Sequence, residues 1–600
     1  MYFSVNTMNR LPDNQSKPPS LWAMIWPRLK PYKGLVIAAI TLNALHGFAV
    51  TFQTLITKYL IDDVILEKGL SMATRWQRLG LIIVAFLLAS IVFRMLVWHL
   101  GYRIFTNVRE KVLYSLRLSF FSHVNQLCLR FHRQNQSGEL FNYLFGSPLG
   151  QIQNFFYNFA MNVPGSVFVL ISTIAWVAFW DLPMTVVLCI TVVTTVLMMQ
   201  NSRATIHRLS KDYQKTEGSV SGYVADLLRG SRDIKLYAME NRIEQNFAGQ
   251  IDLIRKKSYE RDVNIHVQWM KQEASGYVCF AILCVTGFVR YFSNNLTIGE
   301  FQGYLTAFIA LQGPLTWIYN VGAQNSAAQA SLERIDSILS TTTSTPDPAP
   351  QSAREIPHNG AIHFDHLSFK YDSNPILHDI NLTIPYGQHV ALVGPSGSGK
   401  TTLFLLLLRL YDPECGSIRI NAHDLRSFNG SDLRRHFGVV PQDPFLFTGT
   451  IRENLSVVAP SADDAAIEQA CRRAYAWEFI EKMPQRLHTP VGEAGSMLSG
   501  GQRQRIAIAR ALLADPSYYI FDEATSALDT MSEQLIQQAL EETMRGKTAF
   551  FIAHRLATVK TCDRILVLHN GMVVQDGSYS DLAGRAGLFA ELVAGQQLRT

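Results

Sequence analysis

Long apolar stretches dominate the chain up to about residue 330, and polar loops of very different lengths separate them. A helix that crosses a bilayer needs roughly 20 mostly apolar residues. One such run alone would also suit a buried core helix, but six runs with this loop pattern predict a six-helix membrane domain. The runs lie near 34–54, 79–100, 164–180, 182–199, 275–292 and 301–321.

Basic side chains cluster in alternate loops between these runs. Because cytoplasmic loops carry an excess of Lys and Arg, this bias predicts that both termini are cytoplasmic. The opposite loops are short or mixed in charge, with acids such as Asp62, Asp63 and Asp181. The basic clusters are Lys17, Arg28, Lys30 and Lys33; then Arg103, Arg109, Lys111, Arg117, Arg130 and Arg133; then Arg203, Arg208, Lys211 and Lys215.

Two long cytoplasmic loops, 109–131 and 216–257, are rich in Leu, Arg, Gln and Glu and predict helices. At a rise of 1.5 Å per residue, such helices would project roughly 30 Å from the membrane. Ahead of the first run, Trp22 and Trp26 lie beside basic residues, which indicates a helix at the membrane surface. An early start of the first span is the alternative.

The composition changes after residue 340. Residues 341–350 read TTTSTPDPAP, which is typical of a linker. Strand-like and helix-like stretches alternate from residue 361 onward, as in an α/β domain. We therefore predict a multidomain chain, whose parts are an N-terminus with an interfacial helix over 1–33, an all-α six-helix transmembrane domain over 34–335, a linker over 336–360 and an α/β domain over 361–600.

Composition agrees with this division. Hydrophobic residues make up 48% of the 600 residues and charged residues only 17%, against about 25% in soluble globular proteins. These values exclude a disordered chain, a fibrous repeat and an ordinary large cytosolic enzyme. The net charge of +6 is small. Because the basic residues mark cytoplasmic loops, they report orientation, and we expect no nucleic-acid partner.

A glycine-rich loop follows the apolar strand 389–393 and precedes a helical run. Its sequence fits the GxxxxGK[ST] pattern, in which backbone N–H groups surround phosphate oxygens at a helix N-terminus. Lys400 is expected to reach the β- and γ-phosphates, and the Thr401 hydroxyl to ligate Mg²⁺. The predicted ATP-binding residues of this loop are Gly394, Pro395, Ser396, Gly397, Ser398, Gly399, Lys400, Thr401 and Thr402.

Two acids follow the apolar strand 518–521. Asp522 stands at the carboxyl end of this strand, where it can hold Mg²⁺ directly or through water. Glu523 is one step further and can polarise an attacking water. A solvated acidic edge is the ordinary explanation of such a pair, but a phosphate loop in the same domain favours catalysis.

A second short loop, Ser499, Gly500, Gly501 and Gln502, opens another helix. Its N-terminus is a second place that favours an anion. One nucleotide does not obviously need two such helix starts from one subunit. The simplest interpretation is that this loop serves a nucleotide held by another subunit.

These motifs together resemble the ATP-binding cassette (ABC) exporter family, in the form of a half-transporter of the lipid-A flippase or multidrug exporter type. The resemblance covers nearly the whole chain and implies a type I exporter membrane domain (type IV fold) followed by a P-loop α/β domain. It implies that Tyr371 stacks on adenine, that Gln442 reaches Mg²⁺ and the attacking water, that Asp529 crosses between two cassettes in trans, and that His554 lies near the γ-phosphate. Residues 131–140 resemble the first coupling segment, and 230–240 resemble the stretch after the second coupling helix, which is expected within 216–224. Residues 489–495 resemble the exporter-type segment that touches the helices of the membrane domain.

The resemblance implies ATP and Mg²⁺ as cofactors, hydrolysis through Glu523, and an ATP-driven exporter or flippase in a bacterial inner membrane. An identical second chain would complete both sites, although a heterodimer stays open. An importer on the same frame, a nucleotide-gated channel and a soluble cassette acting on nucleic acid are the alternatives. Membrane lipid and a small amphipathic substrate are the expected partners, with lipid, drug and peptide all open. His46, Arg94 and His99 are ionisable residues in or near spans and hence substrate-site candidates.

Overall fold

A computed structural model describes residues 21–135, 137–349, 354–523, 544–552 and 556–597. The chain separates into two compact units. The first is Met1–Asn125 with Gln136–Thr341, and the second is Gln126–Asn135 with Thr342–Thr600. The short segment Gln126–Asn135 therefore packs with the α/β part of the chain, although helical sequence surrounds it on both sides.

The chain up to Leu339 is helical in the described residues. A 3₁₀ turn covers Lys30–Tyr32, and π-helical segments cover Ile61–Leu66 and Ala89–Val97. The α-helices are α1 Leu21–Leu29, α2 Lys33–Leu60, α3 Met72–Leu88, α4 Trp98–Gln126, α5 Leu129–Gln134, α6 Ser137–Phe145, α7 Ser147–Met161, α8 Val163–Val177, α9 Leu182–Arg229, α10 Ser231–Leu236, α11 Glu240–Phe292 and α12 Ile298–Leu339.

All six apolar runs lie on these helical segments, with one exception at the end of the third run. Helix α8, which carries that run, ends at Val177 and leaves 178–180 in a turn. By length and hydropathy alone, four helical stretches of the described chain are able to cross a membrane, namely Ile25–Leu66, Met72–Gln126, Gly138–Val177 and Glu240–Phe292. Leu182–Met198 is a shorter apolar stretch. The number of six spans therefore stays a prediction.

The predicted long helices of the cytoplasmic loops are interrupted. Helix α4 ends at Gln126, so 109–131 is not one helix. The stretch 216–257 breaks at Gly230 and again between α10 and α11, where Ala238 takes a left-handed backbone with φ of 50°. A non-glycine residue in that region is uncommon. The turn is closed by local hydrogen bonds, from the Ala238 N–H to the Lys235 carbonyl and from the Met239 N–H to the Ile234 carbonyl. Such a turn usually has Gly or Asn at the left-handed position, so the sequence does not indicate it.

The second unit contains two sheets. A four-stranded antiparallel sheet has the order β2-β1-β4-β5, and a six-stranded sheet has the order β10-β9-β3-β8-β7-β6, parallel except for β10. The strands are β1 Ile362–Tyr371, β2 Asn374–Ile384, β3 His389–Val393, β4 Cys415–Ile420, β5 His423–Asp424, β6 Phe437–Val440, β7 Tyr518–Asp522, β8 Thr548–Ile552, β9 Arg564–His569 and β10 Met572–Gly577.

Helices cover the parallel sheet. They are α13 Lys400–Leu407, α14 Gly430–Arg435, α15 Ile451–Ser456, α16 Asp464–Arg473, α17 Trp477–Ile480, α18 Gly500–Leu513, α19 Leu556–Lys560, α20 Tyr579–Ala583 and α21 Leu588–Gln597. Strand β3 shows why its sequence is continuously apolar. Val390 and Leu392 join one hydrophobic cluster, whereas Ala391 and Val393 join another on the opposite face. A strand buried on both faces needs apolar residues at every position.

The linker-like residues include an anchor to the second unit. Buried Arg409 donates hydrogen bonds to the carbonyl oxygens of Pro346 and, at 2.8 Å, Phe428. The Asp347 carboxylate accepts from the Gly430 N–H at 2.8 Å and lies 3.4 Å from the Arg409 guanidinium. Thus Pro346 and Asp347 are fixed in place, although Thr341–Pro350 has the composition of a flexible linker.

Candidate nucleotide site

The phosphate loop runs between the end of β3 and the start of α13. Gly394, Gly397 and Gly399 all have positive φ, of 152°, 81° and 102°. A Cβ at Gly394 would collide with the Leu568 carbonyl oxygen, and one at Gly399 would lie 2.6 Å from Leu377 Cδ2. Only glycine combines these backbone conformations with such close neighbours. The glycines therefore allow the loop to turn tightly at the N-terminus of α13, a position that favours a bound anion.

Lys400 begins α13 and is 7% exposed. Its ammonium group donates to the carbonyl oxygens of Gly394 at 2.8 Å and Pro395 at 2.9 Å. Burial lowers the pKa of Lys400, and the negative charges of Glu523 and Asp522 oppose that shift. The Ser398 hydroxyl is buried and has no hydrogen-bond partner within the described chain. A buried cation and an unsatisfied hydroxyl in one loop fit a polyanionic ligand such as a triphosphate.

The acidic pair lies at the carboxyl end of β7. The Asp522 carboxylate is 3.5 Å from the Thr401 hydroxyl, so this contact joins the acidic pair to the phosphate loop. Thr401, Asp522 and Gln442 offer oxygen ligands, which are the donors that Mg²⁺ prefers. The residues present therefore fit a magnesium ion beside a phosphate.

Glu523 is held in an unusual backbone conformation. Its φ is 48°, and its N–H donates to the Ile552 carbonyl oxygen at 3.2 Å. The Gln442 amide donates to the Glu523 carboxylate at 2.8 Å, and the Gln504 amide donates to the Glu523 carbonyl at 3.3 Å. Left-handed backbone in a non-glycine residue persists only where surrounding contacts enforce it, and such residues cluster at functional sites. The structure thus fixes the proposed base and brings Gln442 to it from the end of β6.

The second loop forms a regular helix cap. The Ser499 hydroxyl accepts from the Gln502 N–H at 3.3 Å, and the Gln502 side chain accepts from the Ser499 N–H at 2.9 Å. This reciprocal capping box holds the start of α18 in shape. Ser499 is exposed, and Gly500 and Gly501 add no side chain over the helix start. The loop therefore presents an open helix N-terminus.

Tyr371 stands at the end of β1 in a cluster of aromatic rings. Its ring meets those of Phe369 and Tyr411 edge to face, with centroids 4.9 Å and 5.2 Å apart. The guanidinium of Arg133, from α5, lies 5.4 Å from the centre of the Tyr371 ring. The sequence places Arg133 in a basic loop and in 131–140, which resembles a coupling segment, but neither pattern predicts its contact with Tyr371.

Several predicted residues are not brought to this site by the described structure. Asp529 and His554 lie outside the described residues, as does the side chain of Arg94. His46 lies beside Trp98, with ring centroids 6.0 Å apart, and His99 is exposed. A substrate site formed by His46, Arg94 and His99 therefore stays a prediction.

A buried ion pair in the membrane unit was missed. Asp181 was assigned to a loop, yet its side chain is 3% exposed and pairs with Arg290. It also accepts from the Met184 N–H at 2.9 Å as the N-cap of α9. The sequence carries a signal for the cap alone, because an Asp directly before Leu-Pro is typical of a helix N-cap. It carries none for the pair with Arg290.

Comparison with known proteins matches both parts of the chain. Residues 36–315 match the family described as ABC transporter transmembrane region, and 377–526 match the family described as ABC transporter. An ATP-dependent lipid A-core flippase of Sodalis glossinidius (strain morsitans) is 34% identical, with 95% of this chain and 96% of that protein covered. The chain belongs to the ABC transporter family.

Other relatives of this ABC transporter agree. A putative multidrug export ATP-binding/permease protein of Staphylococcus aureus (strain NCTC 8325 / PS 47) is 30% identical, covering 95% of this chain and 99% of the relative. The structure of a bacterial Atm1-family ABC exporter with ATP bound superposes with a TM-score of 0.83 at 28% identity, covering 95% and 98%. The transporter is an integral membrane protein that binds and hydrolyses ATP to drive export or flipping. The predicted fold class and ATPase activity are confirmed, and the relatives favour export over an importer or a channel.

Proposed function

We propose that two identical copies of this chain form a flippase or exporter for a lipid-like amphipathic molecule, with two ATP sites shared between the copies. The observation that carries the proposal is the hydrogen bond from Gln442 to Glu523 beside the Thr401–Asp522 contact. It assembles a positioned base and a set of oxygen ligands in one place. A regulator that only binds nucleotide has no need of that arrangement.

Each side chain then has a distinct task. Lys400 exchanges its two loop carbonyls for phosphate oxygens, because a charged acceptor is a stronger partner than a neutral carbonyl. Thr401, Asp522 and Gln442 hold Mg²⁺, which neutralises phosphate charge. Glu523 orients and deprotonates the attacking water. Tyr371 stacks on the adenine, and His554 and Asp529 complete the site as the family resemblance implies.

The exposed cap of α18 supports the shared site. Ser499 holds the cap through its own N–H and hydroxyl. Gly500 and Gly501 offer the backbone N–H groups of a second helix start, which a nucleotide held by the other copy can use. Since both half-sites carry complete motifs in one sequence, an identical partner is sufficient. Closure of the cassettes around ATP would switch the membrane domains from inward to outward facing, and hydrolysis would reset them.

The membrane unit supports a lipid-like substrate. Six apolar helical runs and the basic loops between them favour six spans with both termini cytoplasmic, in a bacterial inner membrane. The flippase relative of Sodalis glossinidius is named for lipid A-core. An amphipathic lipid is therefore the first substrate class to test, ahead of drugs and peptides.

A reconstituted assay tests the proposal. Fluorescent lipids placed in both leaflets of proteoliposomes report translocation when a membrane-impermeant reductant bleaches the outer leaflet. We expect translocation that requires ATP and Mg²⁺ and that disappears in Glu523→Gln. Stimulation of ATP hydrolysis by lipids in nanodiscs, compared with drugs and peptides, would define the substrate class. Stimulation by drugs or peptides alone would contradict the lipid assignment.

A further inference from the structure

The first helix covers a cavity in the membrane unit. Helix α1 has the sequence LWAMIWPRL, in which Ile25 and Leu29 are buried while Trp26 is 53% exposed. A short helix with one apolar buried face and an exposed Trp is typical of a segment that lies in the membrane interface. The cavity beneath it is bounded by α1, α2, α4 and α7.

The cavity has a volume of about 170 Å³, and its walls are apolar apart from one residue. Leu29, Phe105, Phe156 and Ala160 form much of its lining, together with aliphatic residues of α2. An apolar cavity of about 150 Å³ stays dry and takes up a small hydrocarbon. The space is therefore suited to a segment of an alkyl chain and has nothing to offer a polar group in its interior.

Positive charge stands where the headgroup of such a chain would lie. Lys33 lines the same cavity, and the described carboxylates form no ion pair with it. A smaller cavity of about 30 Å³ shares Leu29, Phe105 and Phe156 with the first one and is lined by Arg109. Lys111 lies 5.5 Å from the centre of the Tyr32 ring, next to Lys33 in sequence. The Arg109 guanidinium is paired with Glu110, its neighbour in sequence, at 2.7 Å.

The apolar cavity and the basic side chains beside it together fit one kind of ligand. We infer that the cavity binds an acyl chain of an anionic membrane phospholipid, with the phosphate held at Lys33. A juxtamembrane basic group attracts anionic lipids, and a buried chain adds apolar contact. The lipid would be a bound component of the transporter and not the transported molecule, since the site lies under the interfacial helix and not among the nucleotide or candidate substrate residues.

Photolabelling of the whole transporter tests this site. The protein is placed in nanodiscs that contain phosphatidylglycerol or phosphatidylcholine with a photoreactive group on the acyl chain, and labelled peptides are mapped by mass spectrometry. We expect label on α1, α2, α4 and α7 around the cavity. We also expect several-fold more label from phosphatidylglycerol than from phosphatidylcholine at equal content.

Two substitutions distinguish binding of the acyl chain from binding of the lipid headgroup. Ile37 lines the cavity and is 61% exposed, so Ile37→Trp should fill the space from its open side with little harm to folding. We expect it to reduce labelling there about tenfold for both lipids. Lys33→Gln should leave phosphatidylcholine labelling as it is and remove the preference for phosphatidylglycerol. Lys68→Gln, an exposed lysine in the loop after the first long helix, is the matched control and should change nothing.

Folding is checked by size-exclusion chromatography and thermal unfolding of each variant. If Ile37→Trp aggregates, Ala160→Leu fills the same cavity from α7. Equal labelling in the filled variants would overturn the site, as would equal labelling by the two lipids in the wild type. Recovery of cross-links to a second copy of the chain in place of lipid would show that a protein surface covers the cavity, and would also overturn the inference.

Discussion

Two polar clusters of this transporter differ in how their charges are partnered. In the nucleotide site, the hydrogen bonds of Lys400 within the described residues go to neutral carbonyl oxygens of its own loop, and the Glu523 carboxylate accepts from the Gln442 amide. In the membrane unit, Asp181 pairs with Arg290 and also caps a helix, while the Tyr304 hydroxyl bonds to the Val177 carbonyl at 2.7 Å. The first cluster is arranged to receive a ligand, whereas the second is closed on itself.

Other polar groups of the membrane unit follow the second pattern. Lys58 and Glu300 form an ion pair at 2.8 Å, and Asp62 accepts from the Thr297 hydroxyl at 2.6 Å. The buried Asn43 amide donates to the Met161 carbonyl. Ionisable residues in spans are functional candidates by default, but these contacts tie helices together. The difference teaches that partnering, and not mere polarity, separates a ligand site from a structural contact.

The largest expected effect is on ATP hydrolysis in the nucleotide site, which is the cluster open to a ligand. Glu523→Gln removes the base while preserving shape, and we expect ATP hydrolysis to fall by about 10²–10⁴-fold with ATP binding retained. Steady-state hydrolysis and nucleotide binding by the purified protein measure the two effects. Glu481→Gln, an exposed acid of the same unit, is the control. Undiminished turnover in Glu523→Gln would remove this residue from the mechanism.

Substitutions in the cluster around Asp181 and Arg290, which is closed on itself, should lower the stability of the protein. Arg290→Ala leaves Asp181 buried without its cation, which typically costs about 3–5 kcal/mol. Thermal unfolding in detergent should show a large loss, while nucleotide affinity of the remaining folded protein stays near the wild-type value. The double variant Asp181→Asn with Arg290→Gln removes both charges and should recover part of the loss. If Arg290→Ala changed transport but not stability, the cluster would be a functional site and the comparison would fail.

Glycine substitutions sharpen the account of the open cluster. An alanine at Gly394 would collide with the Leu568 carbonyl, whereas one at Gly397 meets open space. Gly397→Ala should destabilise the fold mainly through its left-handed backbone, by about 1–2 kcal/mol. Gly394→Ala should cost about 1–3 kcal/mol more, because the added methyl group overpacks the loop. Thermal unfolding and ATP binding should therefore suffer more in Gly394→Ala. The reverse order would mean that the loop is held differently from the structure.

The smallest effect is expected at the anchor of the linker. Asp347→Ala removes the acceptor of the Gly430 N–H and the partner of Arg409, at a cost of about 1 kcal/mol because Asp347 is half-exposed. A modest drop in thermal stability with unchanged hydrolysis by the purified protein is the expected result. Glu481→Ala, at an exposed acid of the same unit, offers a comparison. A loss no larger than that of the comparison variant would argue against the anchor.

The nucleotide site was largely predictable because its chemistry is local. The phosphate loop is one continuous stretch, and each acid follows its strand directly. The contact between Gln442 and Glu523 joins residues 81 positions apart, so only the family resemblance placed them together. The Asp181–Arg290 pair, 109 positions apart, and the Arg133–Tyr371 contact were missed, because pairing across helices leaves no pattern in either segment. The break at Ala238 escaped prediction for another reason, because the left-handed position of this local turn holds an alanine and not the glycine that would indicate it.

A fused dimer tests most directly whether each ATP site is shared between two copies. Lys400→Ala disables a phosphate loop and Ser499→Arg disables a helix cap. With the two substitutions in different halves, a shared arrangement leaves one intact site; with both in one half, it leaves none. We predict vanadate-trapped nucleotide in the first fusion and none in the second. Trapping in the second fusion but not in the first would show that each copy builds its own site and would contradict the account.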